Sequence, residues 1–164
     1  MVDIEGKLEW FGKELRDRME DEEIRPGVMA HKCRVKPGSF YNYTQGKTFP
    51  KLWNLCLIAN YLGATVNDLL DYDEPDEDNL VGYECFGMFE DEDEFSMHVH
   101  NRVNNAMIDA DIDVFELAER TGFTRSAIRK WFGFNDKDPD LPRTSDFLQI
   151  CEAIGTTPSD LLGY

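Results

Sequence analysis

The apolar residues of this chain recur at intervals of three and four positions, which is the spacing of an amphipathic α-helix. One such stripe predicts a first helix that ends near Glu20, and its members are Leu8, Phe11, Leu15 and Met19. A second stripe consists of Phe95, Val99, Val103 and Met107. Residues 80–89 allow either a strand or an apolar patch that pins this segment to a domain surface, and we favour the patch. The rest of the pattern predicts an all-α protein.

The chain also repeats itself at an offset of 88 to 92 residues. Clear pairs at the larger offset are Ile58 with Ile150, Gly63 with Gly155, Asp68 with Asp160, Leu69 with Leu161, and Leu70 with Leu162. A fixed offset of this size indicates two copies of one structural unit. We therefore predict one domain at residues 1–70, a linker at 71–94 and a second domain at 95–164.

Turn residues divide each copy into five short helices. In the second copy, Gly122 is suited to end the second helix and Thr124 to cap the third. In the first copy, Arg34 takes the position of that glycine, and Pro37 is placed to begin the third helix. A tight turn between the second and third helices is typical of a helix-turn-helix module.

The charge of the chain is unevenly distributed. The formal net charge of −16 argues at first sight against a nucleic-acid partner, because phosphate binding depends on Lys and Arg. However, the predicted linker carries twelve acids and no base, and so holds three quarters of the excess. From residue 25 to residue 67 there is no acid, and the bases are Arg25, Lys32, Arg34, Lys36, Lys47 and Lys51. This stretch predicts either a basic surface or a chance run on a solvated face.

Other reactive side chains form no recognisable catalytic or metal site. The four cysteines lack metal-ligand spacing and are expected to be small apolar residues in a reduced compartment. His98 and His100 are two positions apart, so they point to different faces of a helix, and a surface role is expected. There is no signal peptide and no apolar run of about 18 residues. We predict a cytoplasmic protein that is not an enzyme and has no cofactor, metal or small-molecule substrate.

Several segments of the sequence resemble the phage-repressor (Cro/XRE-like) helix-turn-helix family. They are "VKPGSFYNYTQGKTFP", "LAERTGFTRSAIRKWF", and the closing segments "IANYLGATVNDLL" and "ICEAIGTTPSDLL". The resemblance implies two tandem five-helix, lambda-repressor-like domains joined by the acidic linker. It also implies binding to double-stranded DNA, with the third helix in the major groove.

The residues of the second copy favour the same surface without the family name. If Ile128 and Trp131 face the core, the outward side of the third helix carries Thr124, Arg125, Ser126, Arg129 and Lys130. Arginine is well shaped for a bidentate contact with guanine, and lysine can neutralise phosphate. The alternative is an ordinary solvated helix face. Asp113 departs from the family pattern, because its charge lies where phosphate is expected.

The first copy presents a different set of residues at the corresponding positions. They are Lys36, Pro37, Gly38, Tyr41, Asn42 and Lys47, with Gln45 as a further candidate. Asn42 can read adenine, but Pro37 and Gly38 have no side-chain donor, so this copy is expected to position the protein on DNA rather than discriminate bases. Tyr41 is equally compatible with a half-buried aromatic residue.

Together these features predict a sequence-specific DNA-binding transcriptional regulator of bacterial or phage type. Either one chain acts as a covalent pseudo-dimer on an asymmetric site, or the chain forms a homodimer. The alternative function is an acidic interaction module with little DNA affinity that engages a basic protein partner. The linker is expected to be a solvated spacer, with competition for the DNA-binding groove or contact with a basic partner as alternatives.

Overall fold

A computed structural model describes residues 1–80, 91–132 and 140–164 of the chain. The first half contains α1 (Ile4–Asp21), α2 (Pro26–Lys32), α3 (Pro37–Thr44), α4 (Leu52–Leu62) and α5 (Val66–Leu70). A short 3-10 turn follows at Glu77–Asn79. The second half contains α6 (Glu92–Asp109), α7 (Val114–Thr121), α8 (Arg125–Phe132), α9 (Thr144–Ile154) and α10 (Pro158–Leu162). Within these ranges there is no strand, so the all-α prediction is confirmed.

The turn chemistry expected from the sequence is present in both halves. Gly122 ends α7 in the left-handed conformation, at φ 77°, and the Thr124 hydroxyl accepts a hydrogen bond from the Ala127 amide at 3.1 Å. Arg34, in the corresponding position of the first half, has φ 57°. A non-glycine residue pays a conformational cost there, which the packing around it must offset. The same backbone turn therefore forms in both halves with different residues.

The apolar stripes of both halves form one continuous core. In the first half the stripe of α1 packs with α3 and α5, and its fully buried members include Phe11 and Leu15. In the second half the stripe of α6 is buried through Phe95, Val99 and Val103. All of these residues belong to a single cluster of buried side chains. Each half therefore buries part of its apolar surface against the other half, away from water.

The two halves meet where α5 packs against α10. The backbone amide of Asn67 donates to Ser159 Oγ at 2.7 Å, and the backbone amide of Ser159 donates to the side-chain Oδ1 of Asn67 at 2.8 Å. Both residues are fully buried, and they are 92 positions apart, the offset of the sequence repeat. A residue that exchanges hydrogen bonds with its own counterpart is expected on a two-fold axis. This one pair of residues is thus locally symmetric across the contact between α5 and α10.

Further contacts between the halves lie near the start of α4. The Thr144 hydroxyl donates to the Pro50 carbonyl at 2.6 Å, at the beginning of α9. The rings of Trp53 and Phe95 lie 4.9 Å apart, centroid to centroid, in a tilted arrangement. This ring contact fixes the N-terminus of α6 against the N-terminus of α4.

Part of the segment expected to be a solvated spacer is attached to the second half. The Asp76 amide and the Asn79 side chain both donate to the Asp160 carboxylate, at 3.1 and 3.2 Å. The Arg102 guanidinium donates to the Asn79 carbonyl at 2.6 Å. In addition, α6 begins at Glu92, within the segment expected to be linker. The expected strand or patch at residues 80–89 lies almost wholly outside the described residues.

Candidate nucleic-acid interface

The second half presents a cationic face on α8. Ile128 and Phe132 are fully buried, and the half-buried Trp131 stands edge-on to Phe123 with 5.3 Å between ring centroids. These contacts fix the rotation of α8 about its axis. The opposite side is exposed and carries the residues singled out from the sequence: Thr124, Arg125, Ser126, Arg129 and Lys130. The structure brings all five together, at one end and along one side of a single helix.

The cations on this face have different neighbours. The Cζ atom of Arg125 lies 4.7 Å from the ring centroid of Phe115 on α7. Lys130 forms an ion pair with Asp140 at 3.2 Å, and both side chains are well exposed, so this pair contributes little stability. Arg129 is exposed, with no ion pair or hydrogen bond to the described residues. Arg129 and, apart from its ring contact, Arg125 therefore have donors available for a ligand.

The amino terminus of α7 is capped by an acid. The Asp113 carboxylate accepts a hydrogen bond from the Glu116 amide at 2.8 Å. A helix N-terminus attracts anions through its free amides and its dipole. Here a carboxylate already meets that requirement, so α7 offers a phosphate less than an uncharged cap would.

The first half presents a less charged surface on α3. Lys36, Pro37 and Gly38 are exposed, and a Cβ built on Gly38 would meet nothing within 4 Å. Tyr41 is 58% exposed, so it is a surface residue rather than a half-buried one. Asn42 is half-buried. The base-contacting set expected here has few donors, because Pro37 and Gly38 have no polar side-chain atom.

The remaining bases of the first half surround this surface unevenly. Lys47 is exposed just beyond α3, and its amide donates to the Asn42 carbonyl at 3.0 Å. The Nζ atom of Lys32 lies 5.5 Å from the ring centroid of Tyr61. Arg34, Lys36 and Lys51 line an open cavity of about 570 Å³ beside α3.

Acidic residues from the N-terminus of α6 reach into the region between α3 and α8. Asp91 and Glu92 line the cavity beside α3 together with its bases. The charged residues that line an adjoining cavity of about 430 Å³ are the acids Glu92, Asp93 and Asp140 and the bases Lys51, Lys130 and Arg143. We call these two cavities the seam. A solvated spacer is the favoured expectation for these acids. Their position beside the bases agrees instead with the alternative in which the acidic segment lies against the DNA-binding groove.

Phe115 is a further residue of this surface that the sequence analysis missed. It is 56% exposed and lies outside the buried stripe of α7, of which Leu117 is the fully buried member. A large apolar side chain off the stripe of an amphipathic helix is the signal that could have found it.

His98, His100 and the described cysteines are at least partly buried. His98 Nε2 lies 2.9 Å from the Leu162 carbonyl oxygen, and burial lowers the pKa of His98. Both His98 and His100 are half-buried, so the expected surface role is wrong. Cys33, Cys56 and Cys151 are buried, as expected, and burial raises the pKa of Cys33 to about 12. Cys85 lies outside the described residues. No cluster of metal-ligating side chains occurs in the part of the chain that is described.

Two comparisons with known proteins found no counterpart, and one found a family. Residues 102–164 match the family of Cro/C1-type helix-turn-helix DNA-binding domains. This match covers α7 to α10 and the C-terminal part of α6 from Arg102 onwards, and it includes the whole cationic face of α8. No curated protein and no solved structure matches the chain. The resemblance expected from the sequence is therefore confirmed for the second half, and residues 1–101 lie outside the match. No helix in the described ranges is both long and apolar enough to cross a membrane.

Proposed function

We propose that the chain is a sequence-specific DNA-binding transcriptional regulator of bacterial or phage type. One observation carries this proposal: an exposed face of α8 with Arg125 and Arg129 lies within the residues that match a helix-turn-helix DNA-binding family. In such a domain the helix after the tight turn enters the major groove with its first turn towards the bases. The Asp113 cap makes α8, rather than the N-terminus of α7, the main source of affinity.

We further propose that the two halves are tandem helix-turn-helix domains, residues 1–70 and 95–164, that act as a covalent pseudo-dimer. The reciprocal hydrogen bonds of Asn67 and Ser159 support this, because they form a locally symmetric contact between residues 92 positions apart. Paired recognition helices typically reach successive major grooves about 34 Å apart. Since α3 has few base-contacting donors, the first half would set position on the backbone while α8 reads the bases, and the site would be asymmetric.

A second function is favoured by the seam. Asp91 and Glu92 stand beside Lys36, where DNA phosphate would have to approach. Like charges on the protein and on DNA repel each other most at low salt. The alternative is therefore an interaction module whose acids engage a basic protein partner and whose DNA affinity is small.

Selection of bound fragments from a random duplex pool tests the main proposal. If the chain reads DNA, one asymmetric sequence is enriched, and affinity falls steeply as salt is raised. Replacing Arg125 or Arg129 by Ala should then weaken binding to that sequence by about 1–3 kcal/mol while sparing random duplex. Lys13→Ala on α1 is the matched control, because Lys13 pairs with Asp17 and lies outside α8.

Two outcomes would contradict this function. Absence of binding even at ~50 mM salt would favour the interaction module. Equal losses on selected and random duplex would mean that Arg125 and Arg129 contact phosphate rather than bases. The mass of the complex on a short duplex separates one chain per site from a homodimer.

A further inference from the structure

Phe115 and Arg125 form a cation–π pair at the edge of the candidate interface. Phe115 is the second residue of α7 and Arg125 is the first residue of α8. The guanidinium carbon lies 4.7 Å from the ring centroid, well within the range of a cation–π interaction. The ring is 56% exposed, so the core does not account for its presence. The pair bridges the two helices on either side of the tight turn.

A cation–π contact constrains an arginine without engaging a hydrogen-bond acceptor. The N–H donors of the guanidinium that point away from the ring remain available to a ligand. An unrestrained exposed arginine loses side-chain entropy when it binds a ligand. An arginine already held against a ring has lost part of that freedom beforehand. The fork of donors is therefore held ready for a planar, bidentate acceptor.

The contact between Phe115 and Arg125 is present in the second half, and the first half has no such contact at the corresponding positions. At the offset of 88, the counterpart of Phe115 is Gly27 and the counterpart of Arg125 is Pro37. A Cβ built on Gly27 meets nothing within 4 Å, so the structure leaves this position of the first half open. The first half therefore has neither the ring nor the guanidinium at these two positions.

We propose that Phe115 is a positioning residue for base recognition: it orients the Arg125 guanidinium for a bidentate contact with guanine. This inference rests on the proposed DNA-binding function. Phe115 acts through Arg125 and makes no contact with a base itself. It sets the specificity of α8 more than its overall affinity.

The test compares Phe115→Leu, which removes the ring, with Phe115→Tyr, which keeps it. The measurement is the ratio of affinities for the selected duplex and for a duplex in which the guanine read by Arg125 is replaced by adenine. That guanine is the position at which Arg125→Ala abolishes discrimination. Leu should lower the ratio roughly two- to fivefold, the effect of an exposed cation–π contact, and Tyr should preserve it. Tyr61→Leu, which removes the ring beside Lys32, is the matched control and should leave the ratio unchanged.

A double-mutant cycle distinguishes positioning from a direct role. In the Arg125→Ala background, Phe115→Leu should have no further effect on the ratio. A full effect in that background, or an unchanged ratio in the single variant, would overturn the proposal. A wild-type protein that selects no sequence would instead refute the DNA-binding function itself.

NMR spectroscopy of the free, full-length protein tests the contact between Phe115 and Arg125 without DNA. The side-chain protons of Arg125 should be shifted upfield by the ring current of Phe115. This shift should disappear in Phe115→Leu and remain in Phe115→Tyr. Arg125 resonances that are identical in the wild type and in Phe115→Leu would show that Arg125 does not lie against the Phe115 ring in solution.

Discussion

The α5–α10 interface gives a direct test of how the two halves are joined. Asn67 is fully buried, and its side chain accepts from the Ser159 amide at 2.8 Å and donates to the Asp73 carbonyl at 2.8 Å and to Thr157 Oγ1 at 2.9 Å. Replacing Asn67 by Ala removes these three hydrogen bonds at once. It also leaves the buried amide of Ser159 without its acceptor.

The expected loss follows from these contacts. Each hydrogen bond contributes about 1 kcal/mol net, so the three together contribute about 3 kcal/mol. The orphaned Ser159 amide raises the cost, whereas the better helix propensity of Ala lowers it by about 0.7 kcal/mol. We expect Asn67→Ala to reduce the free energy of unfolding by about 3 kcal/mol. For a chain of this length that corresponds to a fall in Tm of roughly 6–12 °C.

Urea and thermal unfolding followed by circular dichroism measure this loss. Asn60→Ala is the matched control, because Asn60 also lies within a helix, and its Oδ1 is buried without a hydrogen-bond partner among the described residues. The same gain in propensity applies to both variants, but Asn60→Ala should change stability by less than about 1 kcal/mol. If Asn67→Ala is as stable as Asn60→Ala, the hydrogen bonds of the Asn67 side chain do not hold the halves together.

Two further outcomes are expected from the charges. Replacing Asp91 by Asn and Glu92 by Gln should tighten DNA binding several-fold at ~50 mM salt. The gain should be much smaller at ~300 mM salt, because screening weakens the repulsion between DNA and the acids of the seam. Unchanged affinity would mean that these acids do not compete with DNA. Burial lowers the folded-state pKa of His98 below its unfolded value, and the nearby charge of Arg102 acts in the same direction. The contribution of neutral His98 to the free energy of unfolding should therefore be fully present above the unfolded pKa of about 6.5 and should decline as pH falls below it. When unfolding is measured from about pH 7.5 to 5, this decline should be smaller in His98→Gln.

The helices and their turns could be predicted because their causes are local. The stripe that begins at Phe95 and the left-handed turn at Gly122 follow from side chains within a few positions of each other. The exposed side of α8 follows from the same periodicity, once Ile128 is assigned to the core. The roles of the exposed residues in binding remain predictions.

Contacts between distant segments could not be predicted from the same pattern. Asn67 and Ser159 are polar residues in otherwise apolar short helices, and nothing in the sequence indicates that they bond to each other across 92 positions. The seam depends on the fold in the same way. Asp91 belongs to an acidic run in the sequence, and only the packing of Phe95 on Trp53 brings the start of α6 towards Lys51 and the cavity beside α3.

The α5–α10 interface also removes a dependence on protein concentration. Two separate subunits with such an interface would dissociate on dilution, and their stability would vary with the amount of protein present. Here the second half meets the first at the high effective concentration set by a short connection within the same polypeptide. A single molecule in a cell would therefore retain both halves of its interface.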